Sequence, residues 1–431
     1  MTWQRVPAGR VLSADDKALP AWAAGMDAEA FVARGVRLSE LWTPALVVDA
    51  SALERNAAFL AGWVAGRGLE LMPHGKTTMA PQLWHLQQDA GATALTLATP
   101  SQVRVARAVG IRDIMLANQF ADAEAAAALA LDVAEHGGRL WSWVDGDAGI
   151  DLLAGVAARP ELAGRVRFEV LVELGRPGGR TGARTPEAAL ALAERVLGAP
   201  GLRLAGVAGY EGAIAHGRSA EALHDAGAFV ADLLALHDAL LGRYDDPADA
   251  IATAGGSAFP DVVADVLAAG AARLPGRFVI RSGASLIHDE GYYRSVSPFD
   301  GDGLRPAARA VARVVSTPEP GLALLDAGKR DVPYDLDLPI PLARLAAGGS
   351  EHDLGAAGGS EHDLGAAEVE AVNDQHAFLR TDPGFPLTLG DRVLLGLSHP
   401  CTMFDKWRLI PVVASLDEDD PVIVGLIETR F

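Results

Sequence analysis

Lys76 follows the apolar run "LELM" in the segment "LELMPHGKTTMAP" (69–81), with a histidine, a glycine and two threonines around it. A lysine at a strand end is more often a solvated charge. In a site of low polarity its pKa falls, and the neutral amine can then form a Schiff base with an aldehyde. A second candidate is "SHPC", where His399 and Cys401 stand two residues apart. An extended chain points both side chains to one face, and imidazole with thiolate suits zinc. Alone, this pair is more often packing than ligation. A third is "TAGGSAF" (253–259), where Gly255, Gly256 and Ser257 open a helix after an apolar run. Glycines there let a phosphate approach backbone N–H groups.

The elements that must position these residues follow one rhythm. From 45 to 282, short apolar runs alternate with alanine-rich helical stretches such as "SALERNAAFLAGWVAG". Runs apolar throughout predict a parallel sheet covered on both faces. Nine runs are present, from "ALVV" (45–48) to "RFVI" (277–280). Eight would close a (β/α)₈ barrel, with catalysis at the C-terminal strand ends. The first run, "TPALVVD", is the odd one, because the lysine strand follows it. A doubly wound open sheet is the alternative, weakened because no G-x-G-x-x-G follows the first strand. Beyond 291, short alternating runs such as "DRVLLGLS" and "LIPVVA" read as an antiparallel β domain. The expected division is therefore 45–290 as barrel, with 1–44 and 291–431 as β domain. "AAGGSEHDLG" occurs twice in succession, at 346–355 and 356–365. This reads as an exposed loop in which His352 and His362 are solvated.

The bulk numbers narrow the partners. The chain has 431 residues, half of them apolar, and a formal charge of −19. Such a surface repels phosphate backbones and anionic lipid, so neither nucleic acid nor membrane is expected as a partner. One cysteine allows no intrachain disulfide. The start lacks the apolar core of a signal peptide, and no run approaches the ~20 residues of a membrane span. A cytoplasmic protein is expected.

The segment "PHGKTTMAP" resembles the P-H-x-K-T stretch of the fold-type III pyridoxal-phosphate enzymes related to D-serine dehydratase and D-threonine aldolase. The resemblance runs from "TPALVVD" to "SHPCTMFDKW". It implies an alanine-racemase-like barrel followed by a β domain, with the strand before the lysine strand joining the β domain. It implies that Lys76 binds the cofactor covalently and that Gly255, Gly256 and Ser257 hold its phosphate. "RSGAS" resembles an R-P-G segment, which adds Arg281 and Gly283 to the cofactor site. "ELGRPGGRTG" places Glu173, Arg176 and Arg180 after the sixth run, although this copy carries extra residues. Arg180 is assigned to the cofactor. Tyr210 in "GYEG" would face the pyridine nitrogen, a weaker partner than a carboxylate, so the chemistry would need help elsewhere. His399 and Cys401 match the H-x-C pair of the dehydratases' zinc site. The aldolases carry aspartate in place of the cysteine. "NDQHAF" resembles an S-x-E-H stretch and places His376 near substrate or metal.

The resemblance implies a lyase for D-amino acids, working as a homodimer with pyridoxal phosphate and a divalent metal, zinc by the thiolate. A dehydratase converting D-serine or related D-3-hydroxy amino acids to keto acid and ammonia is expected. Retro-aldol cleavage to glycine and an aldehyde is the alternative. A non-catalytic carrier of pyridoxal phosphate is the alternative of another class. Arg294 and Arg330 are candidates for holding a second substrate carboxylate.

Overall fold

The computed structural model describes residues 6–299, 303–345, 351–352, 367–384 and 387–431. Most of the duplicated segment at 346–365 lies outside the described residues.

Eight parallel strands curl around one interior: β2 (Glu70–Leu71), β3 (Leu95–Leu97), β4 (Ile114–Leu116), β5 (Leu140–Val144), β6 (Phe168–Leu174), β7 (Leu202–Gly209), β8 (Ile251–Ala254) and β9 (Arg277–Ile280). β2 pairs with β9. The chain after β2 turns back to the other edge, where Thr96 N donates to Pro73 O at 2.9 Å beside a parallel bridge from His74 to Thr96. Each of these strands is followed by a helix or helical turn, β2 by the turn Gly75–Thr77 and the helix Pro81–Asp89. Proline opens four of these helices, at Pro81, Pro100, Pro186 and Pro260. Its fixed φ suits the first turn, where its missing N–H costs nothing. Thr99, Thr185 and Ser219 cap helix starts with side-chain oxygens.

β1 (Ala45–Asp49) precedes the lysine strand and lies in the second sheet, antiparallel to β10 (Ala308–Glu319). This is the place the resemblance implies for the first apolar run. The second sheet adds β11 (Leu322–Leu325), β12 (Ile340–Leu345), β13 (Glu351–His352), β14 (Glu368–Val372), β15 (Ala377–Arg380), β16 (Arg392–Gly396), β17 (Leu409–Val413) and β18 (Ile423–Glu428). Its order is β13-β12-β16-β10-β1-β17-β18, with β11, β15 and β14 branching from β10. Among the described residues, only β1 and β17 pair parallel within it.

Alternate residues of a strand face one side, so β5 sends both Trp141 and Trp143 into the barrel. They pack there with Met72, Met115, Leu171 and Ile251. Trp143 forms part of the floor of the upper cavity. Trp141 lies lower, and the guanidinium groups of Arg139 and Arg277 stand 4.7 and 5.5 Å from its ring centroid. A lattice of charges closes this lower end. Arg139 and Arg203 both bond Glu169 and Asp249, and Arg277 bonds Glu70.

Hydrogen bonds from Arg139 and Arg203 lower the Asp249 carboxyl from the usual 3.8 to about 2. A carboxyl depressed by folding stabilises above its unfolded pKa, and that contribution disappears as pH falls through about 2. Asp249→Asn should therefore cost about 1 kcal/mol at pH 7, because water screens this rim. The gap between variant and parent should narrow below pH 4. Urea unfolding at pH 7 and pH 3 checks both statements.

Candidate active site

Lys76 sits just past β2, in the helical turn Gly75–Thr77. Trp84 Nε1 donates to Gly75 O at 3.1 Å, and a Cβ on Gly75 would lie 2.6 Å from that nitrogen. Only glycine lets the turn pack this closely on Trp84. Lys76 therefore projects from a pinned turn into a cavity of about 330 Å³ at the upper mouth of the barrel. Its amine has no ion-pair or hydrogen-bond partner among the described residues.

The cavity brings together most of the sequence-predicted residues. Arg180, Tyr210, Gly255, Gly256 and Ser257 line one side, with Arg281 and Gly283 beside them. His399 and Cys401 line another part of the same wall. His376 is not brought there. It is exposed in the turn between β14 and β15, where its carbonyl accepts from Asn373 N at 2.8 Å. The resemblance places His376 near substrate or metal, but in the fold it lies in the β14–β15 turn, outside the cavity lining. Arg294 and Arg330 are also exposed and outside the cavity, with Arg330 near Asp374. Arg176 pairs with Asp232.

The glycine loop differs from its expected form. The carboxylate of Glu211 accepts from Gly255 N at 3.0 Å and Gly256 N at 2.7 Å. The two amides expected to face a phosphate are thus occupied from within. Glu211 is fully buried, and burial raises its carboxyl above the usual range. The loop also carries a hydroxyl. Ser257 Oγ accepts from Ser282 Oγ at 3.0 Å and from Ala284 N at 3.1 Å. Gly255 has φ +111°, a conformation that favours glycine. Gly283 is required for a different reason. A Cβ there would stand 2.2 Å from His74 O, where the chain past β9 crosses the lysine turn.

Below the loop, buried Arg281 donates to Thr253 Oγ1 at 2.5 Å and Gly209 O at 2.6 Å. Its guanidinium stands 4.9 Å from the Trp143 ring centroid. Burial lowers it to about 10, against the pull of Glu211 and Glu173. The Arg180 guanidinium lies 5.0 Å over the Tyr210 ring. Burial raises the Tyr210 phenol to about 12, so it stays protonated near neutral pH. Glu173 is buried and accepts from Thr181 Oγ1 at 2.7 Å.

The metal candidates occupy a tight turn after β16. His399 has φ +57°, in the left-handed region that few non-glycine residues occupy. Its N–H is held by Asp289 Oδ2 at 3.0 Å. The other Asp289 oxygen accepts from Tyr293 N at 2.8 Å, which brings Tyr293 to the cavity wall. Cys401 Sγ lies 3.3 Å from Thr77 Oγ1. That contact joins the β-sheet turn to the lysine turn. Among the described residues no group of three or more His, Cys, Asp or Glu gathers for a metal. His399 and Cys401 are candidate donors on the cavity wall, and a catalytic ion would need only a partial protein ligand set of this kind.

Two buried polar atoms in the cavity wall test the fit of a cofactor. His74 Nδ1 and Trp143 Nε1 have no hydrogen-bond partner. Buried orphans of this kind call for a partner. With the unpaired Lys76 amine and the serine hydroxyls, they suit a ring bearing polar substituents and a phosphate. Glu211, Trp143, Asp289 and Tyr293 carry no sequence signal of their roles, whereas His74 is part of the P-H-x-K-T stretch.

Comparison with known proteins agrees with this arrangement. Residues 48–258 match the domain model "Alanine racemase, N-terminal domain". Residues 307–413 match the model "Putative serine dehydratase domain". The chain belongs to the fold-type III family of pyridoxal-phosphate enzymes. It is 26% identical over 355 residues to a D-threonine aldolase of an Arthrobacter species, spanning 81% of this chain and 83% of that one. It is 32% identical over 176 residues to the D-threo-3-hydroxyaspartate dehydratase of Delftia sp. strain HT23, or 41% of this chain and 45% of that one. Among solved structures, the D-threonine aldolase of Filomicrobium marinum superposes with a TM-score of 0.72 at 24% identity, over 90% of this family member and 97% of the other. A metal-free cysteine-to-alanine variant of the D-threo-3-hydroxyaspartate dehydratase superposes with a TM-score of 0.71 at 22% identity, over 92% and 99% of the two chains. The family implies pyridoxal phosphate as cofactor. Among the described residues, no helix is long and apolar enough to cross a membrane.

Proposed function

We propose that this family member is a metal-dependent dehydratase that converts D-serine or a related D-3-hydroxy amino acid to a 2-keto acid and ammonia. The contact that carries the reading is the 3.3 Å approach of Cys401 Sγ to Thr77 Oγ1. It sets a soft donor pair one residue from Lys76 on the wall of one cavity. When bound, the cofactor takes up the electron pair left at Cα, and the metal draws charge from the β-hydroxyl oxygen.

The chain's own residues do the rest. Lys76 Nζ holds the cofactor at rest and accepts the α-proton once released. The hydroxyl of Ser257, with Gly283 beside it, faces the phosphate, while Gly255 and Gly256 shape the loop through their bonds to Glu211. Arg281 lies beneath, and Arg180 with Tyr210 flanks the ring. His399 and Cys401 hold the ion, zinc by the preference of thiolate. The β-hydroxide departs and takes up the proton that Lys76 removed from Cα, leaving as water, and hydrolysis of the released enamine gives keto acid and ammonia. A homodimer, implied by the sequence resemblance, belongs to this proposal.

The Arthrobacter relative and the 3-hydroxy-D-aspartate aldolase of Paracoccus denitrificans, 24% identical over 72% of this chain, favour a second reading, retro-aldol cleavage. That path needs a base for the β-hydroxyl proton. Among the described residues no carboxylate lines the cavity. Burial, reinforced by Lys76, Arg281 and Arg180, holds the His74 imidazole well below its usual range and makes it a poor base. The Delftia relative, a D-threo-3-hydroxyaspartate dehydratase 32% identical over 41% of this chain, favours the dehydratase reading. Incubation with D-serine and D-threonine, followed by separate assays for ammonia with keto acid and for glycine with acetaldehyde, decides. Ammonia with keto acid is expected. Glycine and acetaldehyde without keto acid would overturn the reading in favour of cleavage.

A further inference from the structure

We infer that Asp335 is the positioning residue for the metal pair, holding His399 so that its Nε2 is the ligand atom. The inference rests on the His399–Cys401 assignment. Asp335 Oδ2 lies 2.5 Å from His399 Nδ1, and its Oδ1 accepts from Thr402 Oγ1 at 2.6 Å. One carboxylate therefore grips both ends of the turn that carries Cys401. A proton on Nδ1, held by a carboxylate, leaves the lone pair on Nε2. The same bond fixes the ring's rotation and raises its basicity as a ligand.

The carboxylate is itself anchored. It lies in the segment between β11 and β12, whose base is fixed by Asp331. Asp331 Oδ1 accepts from Lys17 Nζ at 3.0 Å and Oδ2 from Gln375 Nε2 at 2.9 Å, while its carbonyl accepts from Trp407 Nε1 at 2.9 Å. Two residues past Asp335, Asp337 Oδ2 accepts from Ser398 Oγ at 2.8 Å, just before His399. The segment thus holds the turn on both sides of the histidine. Asp335 and His399 are 64 positions apart, and no motif spacing links them.

Zinc titration of the chelator-stripped full chain tests the inference without using turnover. The parent should bind zinc, and Asp335→Ala should bind it about 10–100-fold more weakly. The metal-free melting temperature of this variant should stay close to the parent's, which separates ligand positioning from general damage. Asp335→Asn keeps an oxygen that accepts from Nδ1–H but loses the charge, so its affinity should fall between the two. If Asp335→Ala does not fold, Asp335→Asn alone decides. Parental zinc affinity in the alanine variant, or in Asp335→Asn should the alanine variant not fold, would overturn the inference. Failure of the parent to bind zinc would remove the His399–Cys401 assignment, and this inference with it.

Discussion

Lys76→Ala should lose covalent cofactor attachment and lower turnover of D-serine by about 10²–10⁴-fold from the missing base alone. The alanine variant should also lose the visible absorbance of bound pyridoxal phosphate. The turn itself should survive, because Gly75 and Trp84 pin it rather than the lysine side chain. Lys76→Arg is the informative companion. It keeps the positive charge in the cavity but offers no amine for the aldehyde. If charge alone mattered, the arginine variant would recover turnover, whereas loss in both variants assigns the effect to the amine. Steady-state assays and absorbance spectra of the three proteins check this.

Cys401→Ala should release the metal and lower turnover by about 10²–10³-fold, equivalent to the several kcal/mol a Lewis acid supplies. Cofactor attachment at Lys76 should persist, because Cys401 touches Thr77 rather than the lysine. The two variants thus separate the two halves of the site. Elemental analysis after gel filtration reads the metal, and the visible spectrum reads the cofactor. A Cys401→Ala protein with full metal content would show that the ion is held elsewhere.

The alternation of apolar runs and helices displays the barrel in the sequence, because parallel strands buried on both faces leave that pattern. The prolines at 81, 100, 186 and 260 mark helix starts without tertiary context. Lys76 and the His399–Cys401 pair stand out in the sequence through short local motifs, and the fold brings both to one cavity. Glu211 is not, since it acts on Gly256 from 45 positions away and nothing near it announces a buried acceptor. For the same reason the sequence points the amides of Gly255 and Gly256 at a phosphate, while in the fold a carboxylate reaches them first. His376 shows the converse limit. A short polar stretch resembles a family segment, but the direction of its hairpin depends on how β14 and β15 branch from β11 and β10.

Borohydride reduction of the cofactor-loaded protein, followed by peptide mapping, tests the central claim most directly. The chain has four lysines, at positions 17, 76, 329 and 406, so the map has few alternatives. A single pyridoxyl label on the peptide containing Lys76 is the outcome expected here. A label on Lys17, Lys329 or Lys406, or no label at all, would contradict the account.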